Sequence, residues 1–435
     1  MQAIDTLILA GHVVPVEPRG VLADHAVAIS QGRIAAVLPS ADALARFDAA
    51  NVVRLPGHAL VPGFVNLHCH AAMSLMRGFA DDMPLMSWLQ DHIWPAEGKH
   101  VSDAFVHDGS LLAMAEMLRA GVTCVNDMYF FPEATARAAL RAGMRTALGV
   151  IALEFPSAYA PDAHGYLQKG LATRDAYRGE PLLSFCLAPH APYTVGDETM
   201  KRIAVLAEEL DLPIHCHVHE TAAEVSQGIE QHGVRPFERL RRLGVVGPRL
   251  IAVHAVHLAE HELDVMAREG VSVAHCPSSN LKLASGLAPV AAMRARGIRV
   301  GVGTDGAASN NRLDVMTEMR TAALLAKGAS ADASAVPAVE ALEMATIEPA
   351  RALGLESRIG SIVPGKSADL AAIDLASLET LPLFEVVSHL AYAAGREHVT
   401  HVWVEGRARV AGRELVGLDA RDIADKARWW QARLT

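Results

Sequence analysis

Apolar positions along the chain fall into two recurring patterns. Stretches with apolar residues three and four apart, such as 102–120 and 198–210, predict helices with one buried face. Short runs that are apolar at nearly every position lie between such stretches, at 60–67, 122–126, 145–151, 182–188, 213–218, 250–256, 271–274 and 298–302. Runs of that kind suit strands covered on both sides, as in a parallel sheet. Several helical stretches stop at a Gly that follows a basic residue, at Gly121, Gly143, Gly270 and Gly297, and a Val- or Ile-rich run begins at once. Gly just past a helix with Lys or Arg in its last turn is a stop signal. Eight strand runs separated mostly by helices over some 300 residues predict an α/β fold of the (β/α)8 TIM barrel type, with a doubly wound sheet as the competing topology.

The flanks are patterned differently. Residues 1–55 carry short alternating strands (4–10, 26–30 and 33–38), and 360–374 and 398–409 look alike. Neither set has enough strands to bury a face alone. Together they predict one small β-sandwich domain made by the two ends, residues 1–61 and 366–435, beside a catalytic barrel at 62–365.

Composition narrows the function. The chain has 435 residues, 51% of them hydrophobic, and 39 Lys and Arg against 49 Asp and Glu, a net charge of -10. A negative field argues against a nucleic-acid partner and against an anionic membrane surface. No run approaches the ~20 apolar residues of a membrane span, and no basic segment precedes the apolar residues 7–10, so a cytoplasmic protein is expected. Five cysteines (Cys69, Cys124, Cys186, Cys216 and Cys276) with no C-x-x-C spacing read as buried thiols in a reducing compartment. Without paired thiolates, any metal must be held by His and carboxylate.

Four strand ends carry such groups. In Pro62-Gly63-Phe64-Val65-Asn66-Leu67-His68-Cys69-His70, the period of two aims His68 and His70 the same way. In His215-Cys216-His217-Val218-His219-Glu220 the same period places three imidazoles on one face, with His215 deepest and His219 at the rim, and geometry alone leaves the choice among them open. His254 and His257 close the sixth run, and Gly303-Thr304-Asp305-Gly306 closes the eighth. A Thr-Asp-Gly is by itself an ordinary turn, and paired histidines can be simple core residues. All of these groups face one barrel mouth, however, where barrel active sites lie.

Together the stretch 62–70, His217-x-x-Glu220, the strand-end His254 and G-T-D-G-A-A-S-N-N at 303–311 resemble the amidohydrolase superfamily over nearly the whole chain. The segments 80–97 and 188–194 are similar to the 5'-methylthioadenosine/S-adenosylhomocysteine deaminase family. The resemblance implies that His68, His70, His217 and Asp305 bind one divalent metal ion per chain, with Zn2+ the first choice. It implies Glu220 as general acid and base, His254 as the group that positions and polarises the reacting water, and Asp305 as acceptor of that water's proton. Trp88, Glu97, His190 and Glu220 match substrate-contacting positions: an indole against the nucleoside, a carboxylate for the ribose hydroxyls, and an imidazole for a purine nitrogen. Taken alone, Trp88 reads equally as helix-face core, Glu97 as a solvated acid and His190 as structural. Leu85, Met86 and Leu89 read as packing, while Met73 and Met76 could face either way. Two-metal relatives carry a Lys or Glu on the fourth strand, and 182–188 has neither.

The implied function is hydrolytic deamination of 5'-methylthioadenosine, and by extension of adenosine or S-adenosylhomocysteine, to the 6-oxo product and ammonia. No Arg lies between Arg145 and Arg174, where some members hold the homocysteine carboxylate; Lys169 is the one cation there. Competing readings are a guanine-type deaminase or triazine chlorohydrolase on the same scaffold, and a barrel without catalysis. The expected partner is a small nucleoside, and a homo-oligomer stays open.

Overall fold

The computed structural model describes residues 1–434. Eight parallel strands, Phe64–Cys69, Val122–Asp127, Arg145–Ala152, Leu183–Pro189, Ile214–Val218, Leu250–His254, Ser272–His275 and Arg299–Val302, pair with their neighbours in sequence order. All residues of these strands but Ser184 in the fourth and Arg299 in the eighth are buried, as runs covered on both sides require. The first strand meets the residues just past the last through side-chain and backbone bonds. Asn66 Nδ2 donates to Thr304 Oγ1 at 2.8 Å, and the Thr304 and Asp305 N–H groups donate to Asn66 Oδ1 and to the His68 carbonyl, each at 3.0 Å. The barrel competitor, an open doubly wound sheet, is thereby set aside.

Helix ends follow the expected local rules. The Ser102 hydroxyl accepts from Phe105 N–H at the start of Asp103–Arg119. Gly143 and Gly270 close their helices at φ 64° and 74°, a region that costs a Cβ-bearing residue about 1 kcal/mol or more.

The second sheet is built from the two ends of the chain. Its eight strands run in the order Glu414–Leu415, Arg407–Ala411, Val399–Val404, Leu370–Asp374, Phe47–Pro62, Gln2–Val13, Leu22–Ser30 and Arg33–Pro39. Two apolar clusters belong to it, one around Ile8, Val27 and Trp403 and another around Leu7, Ala28 and Phe47. The apolar run 60–67 is therefore not one strand. It divides at Pro62 and Gly63: residues up to Pro62 pair with Leu370–Asp374, and the barrel starts at Phe64. Proline has no N–H to continue a ladder, so the chain changes sheets there. The closing helix Ala420–Leu434, within the stretch expected in the small domain, packs instead on barrel helix Asp103–Arg119, where the Trp430 indole N–H donates to Asp108 Oδ2 at 3.1 Å. Barrel and sheet are joined by Arg145, whose buried guanidinium reaches Asp369 at 3.0 Å and also bonds Ser367 and Glu405.

Candidate active site

The strand ends converge on the C-terminal mouth of the barrel. His68 and His70 turn their Nε2 atoms to Asp305 Oδ1, at 3.2 and 3.3 Å. The rings of His217 and His254 stack beside them, with centroids 5.5 Å apart. In each case an outer partner occupies Nδ1: His215 Nε2 for His68 (2.9 Å), the Met128 carbonyl for His70 (2.6 Å), the His190 carbonyl for His217 (2.6 Å) and Asn280 Oδ1 for His254 (2.8 Å). A ring nitrogen held from behind fixes the ring plane and leaves the other nitrogen facing inward.

Asp305 is held as firmly. Its Oδ2 accepts from the Ser279 and Ser309 hydroxyls at 2.6 and 2.7 Å, and its Oδ1 accepts from the Gly306 N–H at 2.7 Å. Asp305 and His254 both sit in the left-handed region, at φ 60° and 67°, where the backbone cost is accepted to aim the side chain.

This donor set fits a divalent cation. His68 Nε2 is buried and has no hydrogen-bond partner, an arrangement that costs ~1–3 kcal/mol unless something accepts its lone pair. The inward atoms of His68, His217 and His254, and those of His68, His70 and Asp305, lie within 4.8 Å of one another. Ligands about 2.0–2.2 Å from one ion in a tetrahedron lie roughly 3.3–3.6 Å apart, close to the two His–Asp305 separations. Protonation states agree. Burial drives His68 down to about 4 and His217 well below its usual value, so both offer lone pairs. Burial alone would raise Asp305, but the adjoining His68 and His70 hold it well below the carboxylate range. Both candidate groups share His68, so among the described residues they mark one centre.

Glu220 lies next to this cluster, buried, with Oε2 3.7 Å from His254 Nε2. Burial raises its pKa, partly offset by His254 and Ser285. His254 is raised in turn, since Glu220 and Asp305 outweigh its desolvation.

An open cavity, enclosing about 640 Å³ with its solvent-facing mouth included, lies over the cluster and is lined by His70, Glu220, His254 and Asp305 on one side. Opposite stands a cap, residues 80–100, which contributes Leu85, Trp88, Leu89, Ile93, Trp94 and Glu97. Trp88 begins a π-helical turn, Trp88–Ile93, and its indole N–H donates to the Ala80 carbonyl at 3.1 Å. Wider turns of this kind often mark functional positions. Glu97 is no solvated acid: it faces the cavity, accepts from Tyr129 OH at 2.7 Å, and burial pushes it up to about 7. His190 lines the same cavity, with Nδ1 3.0 Å from Thr194 Oγ1. Leu85 and Leu89, expected as packing, also line the cavity; Met73 faces it as well, whereas Met76 is buried in the apolar cluster behind it.

The structure separates the three histidines that the sequence left open. His217 faces the cavity, and His215 lies one layer deeper, against His68. His219 leaves the face that a period of two assigns it. With φ 54° it turns away, accepting from the Phe237 N–H at 3.0 Å on Nε2, with Nδ1 3.6 Å from Glu262. His257 likewise bonds the Ser285 carbonyl. Tyr129, Ser279 and Asn280 are site residues that the sequence did not mark, as is Glu224, whose carboxylate accepts from the His219 and Glu220 N–H groups at 2.9 and 2.8 Å; Ser309 lay within the 303–311 stretch without a role of its own. One signal was present: Pro-Ser-Ser-Asn at 277–280 directly follows a barrel strand, on the face where active sites form.

The amidohydrolase family model matches residues 59–409. The chain belongs to the amidohydrolase family. Among amidohydrolases of similar sequence, a Saccharophagus degradans protein named 5-methylthioadenosine/S-adenosylhomocysteine deaminase is 48% identical over 99% of this chain and 97% of its own. A Methanothermobacter thermautotrophicus protein named 5'-deoxyadenosine deaminase is 41% identical over 94% of both chains. The crystal structure of an adenosine deaminase from Xanthomonas campestris with bound zinc superposes with a TM-score of 0.98 at 50% identity, over 100% of this chain and 99% of that one.

Proposed function

We propose that this amidohydrolase replaces the 6-amino group of a 5'-substituted adenosine by oxygen, consuming water and releasing ammonia, with 5'-methylthioadenosine as the preferred substrate. The observation that carries the reading is the meeting, in one cavity, of an inward-facing His and Asp set and the buried Glu220 with an apolar chamber that carries a further, half-buried carboxylate, Glu97, at its far side. The names of the similar proteins support it.

His68, His70, His217 and Asp305 would hold one divalent ion, Zn2+ as in the similar deaminase structure. When bound, such an ion supplies a Lewis acid that brings the pKa of a coordinated water toward neutrality. The remaining chemistry belongs to side chains. Glu220, whose affinity for a proton is raised by burial, delivers one to purine N1, which makes C6 a better electron acceptor. Asp305, held ionised, takes a proton from the attacking water, and His254, anchored by Asn280, orients that water. The proton taken by Asp305 passes to the amino group, which leaves as ammonia when the C6–N bond breaks, and the remaining hydroxyl proton returns to Glu220 as the 6-oxo group forms. Trp88 packs on the nucleoside, Glu97 accepts from ribose hydroxyls and His190 faces a ring nitrogen. Residues 62–365 supply every group named.

No Lys or Arg is among the described residues that line the cavity. Lys169 is engaged elsewhere, with its amine on the Tyr159 carbonyl at 2.5 Å, and Arg174 pairs with Asp175. A zwitterionic homocysteine tail needs paired charges to repay its desolvation, whereas a methylthio group gains about 1 kcal/mol from apolar walls. Steady-state kinetics followed in the ultraviolet test the ranking: kcat/KM for methylthioadenosine should exceed that for adenosine roughly tenfold, with S-adenosylhomocysteine last. Parity of S-adenosylhomocysteine with methylthioadenosine would overturn the tail argument, and inertness of all three would overturn the function.

A further inference from the structure

Glu97 stands on the cap helix Trp94–His100, and Tyr129 on the loop that leaves the second barrel strand. Both line the substrate cavity. The Tyr129 side chain is buried, packed edge-on against Phe130 at 5.2 Å between centroids. Burial and the adjacent Glu97 carboxylate push the phenol well above its usual pKa, so it keeps its proton and can only donate to Glu97. It does so to Oε1 at 2.7 Å, and among the described residues no other donor reaches that carboxylate. The loop under Tyr129 is itself fixed, since the preceding carbonyl, Met128, receives His70 Nδ1–H at 2.6 Å.

We propose that Tyr129 is the positioning residue for ribose recognition: by occupying Oε1 it locks the Glu97 carboxyl plane and turns Oε2 toward the vicinal hydroxyls of the nucleoside. The proposal rests on the reading of Glu97 as the ribose acceptor. A carboxylate on a short cap helix has rotational freedom about its last side-chain bond, and an ionised group in an apolar chamber tends to take up a proton. One buried phenol answers both, because it removes the rotation and stabilises the charged form. Two consecutive residues, Met128 and Tyr129, thereby tie the metal-facing His70 and the sugar-facing Glu97 to the same short loop. The spacing between the purine end and the ribose end of the chamber is set there.

The test uses adenosine and 2',3'-dideoxyadenosine on the intact wild-type enzyme and on Tyr129→Phe and Glu97→Gln, with metal content measured for each. Phe keeps the ring and its packing and removes only the hydroxyl. The ratio of kcat/KM for adenosine to that for dideoxyadenosine should fall about tenfold or more in Tyr129→Phe, carried mainly by KM, with metal content unchanged. A similar collapse is expected in Glu97→Gln. If Glu97→Gln collapses the ratio while Tyr129→Phe keeps the wild-type value, the positioning role is wrong and the ribose reading stands. If Glu97→Gln itself leaves the ratio untouched, the ribose reading falls and this proposal with it. Equal losses on both nucleosides in Tyr129→Phe would make the residue a structural prop and overturn the proposal.

Discussion

The floor of the cavity and its roof are built on different principles. On the floor, His68, His70, His217, His254 and Asp305 come from four separate barrel strands, and each is held from behind by a hydrogen bond, mostly from groups fixed in the barrel frame. On the roof, Trp88 and Glu97 belong to one insertion between the first strand and the first barrel helix, held largely by apolar contact. Its polar ties to the barrel are the Tyr129–Glu97 bond beside the cavity and, at its entry, Asp81 with Lys282 and Asn311. On the proposed reading, a site split this way would keep the reaction in the rigid frame and place substrate choice in a segment that can vary without disturbing it.

The sharpest way to break that contrast is to disturb the floor. His68→Ala should cost the bound metal and essentially all turnover, while metal analysis of the wild type should return one equivalent per chain; two equivalents, or an active and loaded variant, would contradict the single centre. Glu220→Gln should retain the metal and lose roughly 10²- to 10⁴-fold in kcat, because the amide keeps the shape and lacks the transferable proton. Ser279→Ala tests the outer supports. With one of its two hydroxyl partners gone, Asp305 should hold the metal about 10- to 100-fold more weakly, readable by chelator competition. The smallest effect is expected on the roof: Trp88→Leu should raise KM several-fold with kcat within about threefold. A kcat loss there as large as that of Glu220→Gln would erase the distinction between floor and roof.

What the sequence made legible follows the same division. The eight strands and their terminal His and Asp groups could be read because burial on both sides writes continuous apolar runs, and strand ends in a barrel share one mouth. His219 could not be placed, since one left-handed φ breaks the period on which the reading relied, and nothing in a His residue announces that conformation. The split of the run 60–67 between two sheets is equally silent, apart from Pro62 and Gly63 at the joint. Tyr129 and Ser279 act through single hydroxyls whose partners lie 32 and 26 residues away, so no local spacing records them, whereas Ser309 sits four residues from Asp305 inside the 303–311 stretch, where a Ser beside Asp and Gly reads as an ordinary turn residue. The destination of helix 420–434 depends on a tertiary contact, Trp430 with Asp108, that periodicity does not encode.

The sheet made from both ends has a consequence for synthesis. Strand Phe47–Pro62 pairs on one edge with Gln2–Val13 and on the other with Leu370–Asp374. The second partner leaves the ribosome roughly 300 residues later, a delay of roughly 15–60 s at ~5–20 residues per second. Throughout that interval an apolar strand edge at the amino end stands open while the barrel is assembled behind it, and open edges are where nascent chains pair with one another. Residues 370–435 thus complete a sheet that residues 1–62 begin, and early chaperone capture of the amino end should raise the soluble yield in coupled synthesis, measured with and without added chaperone.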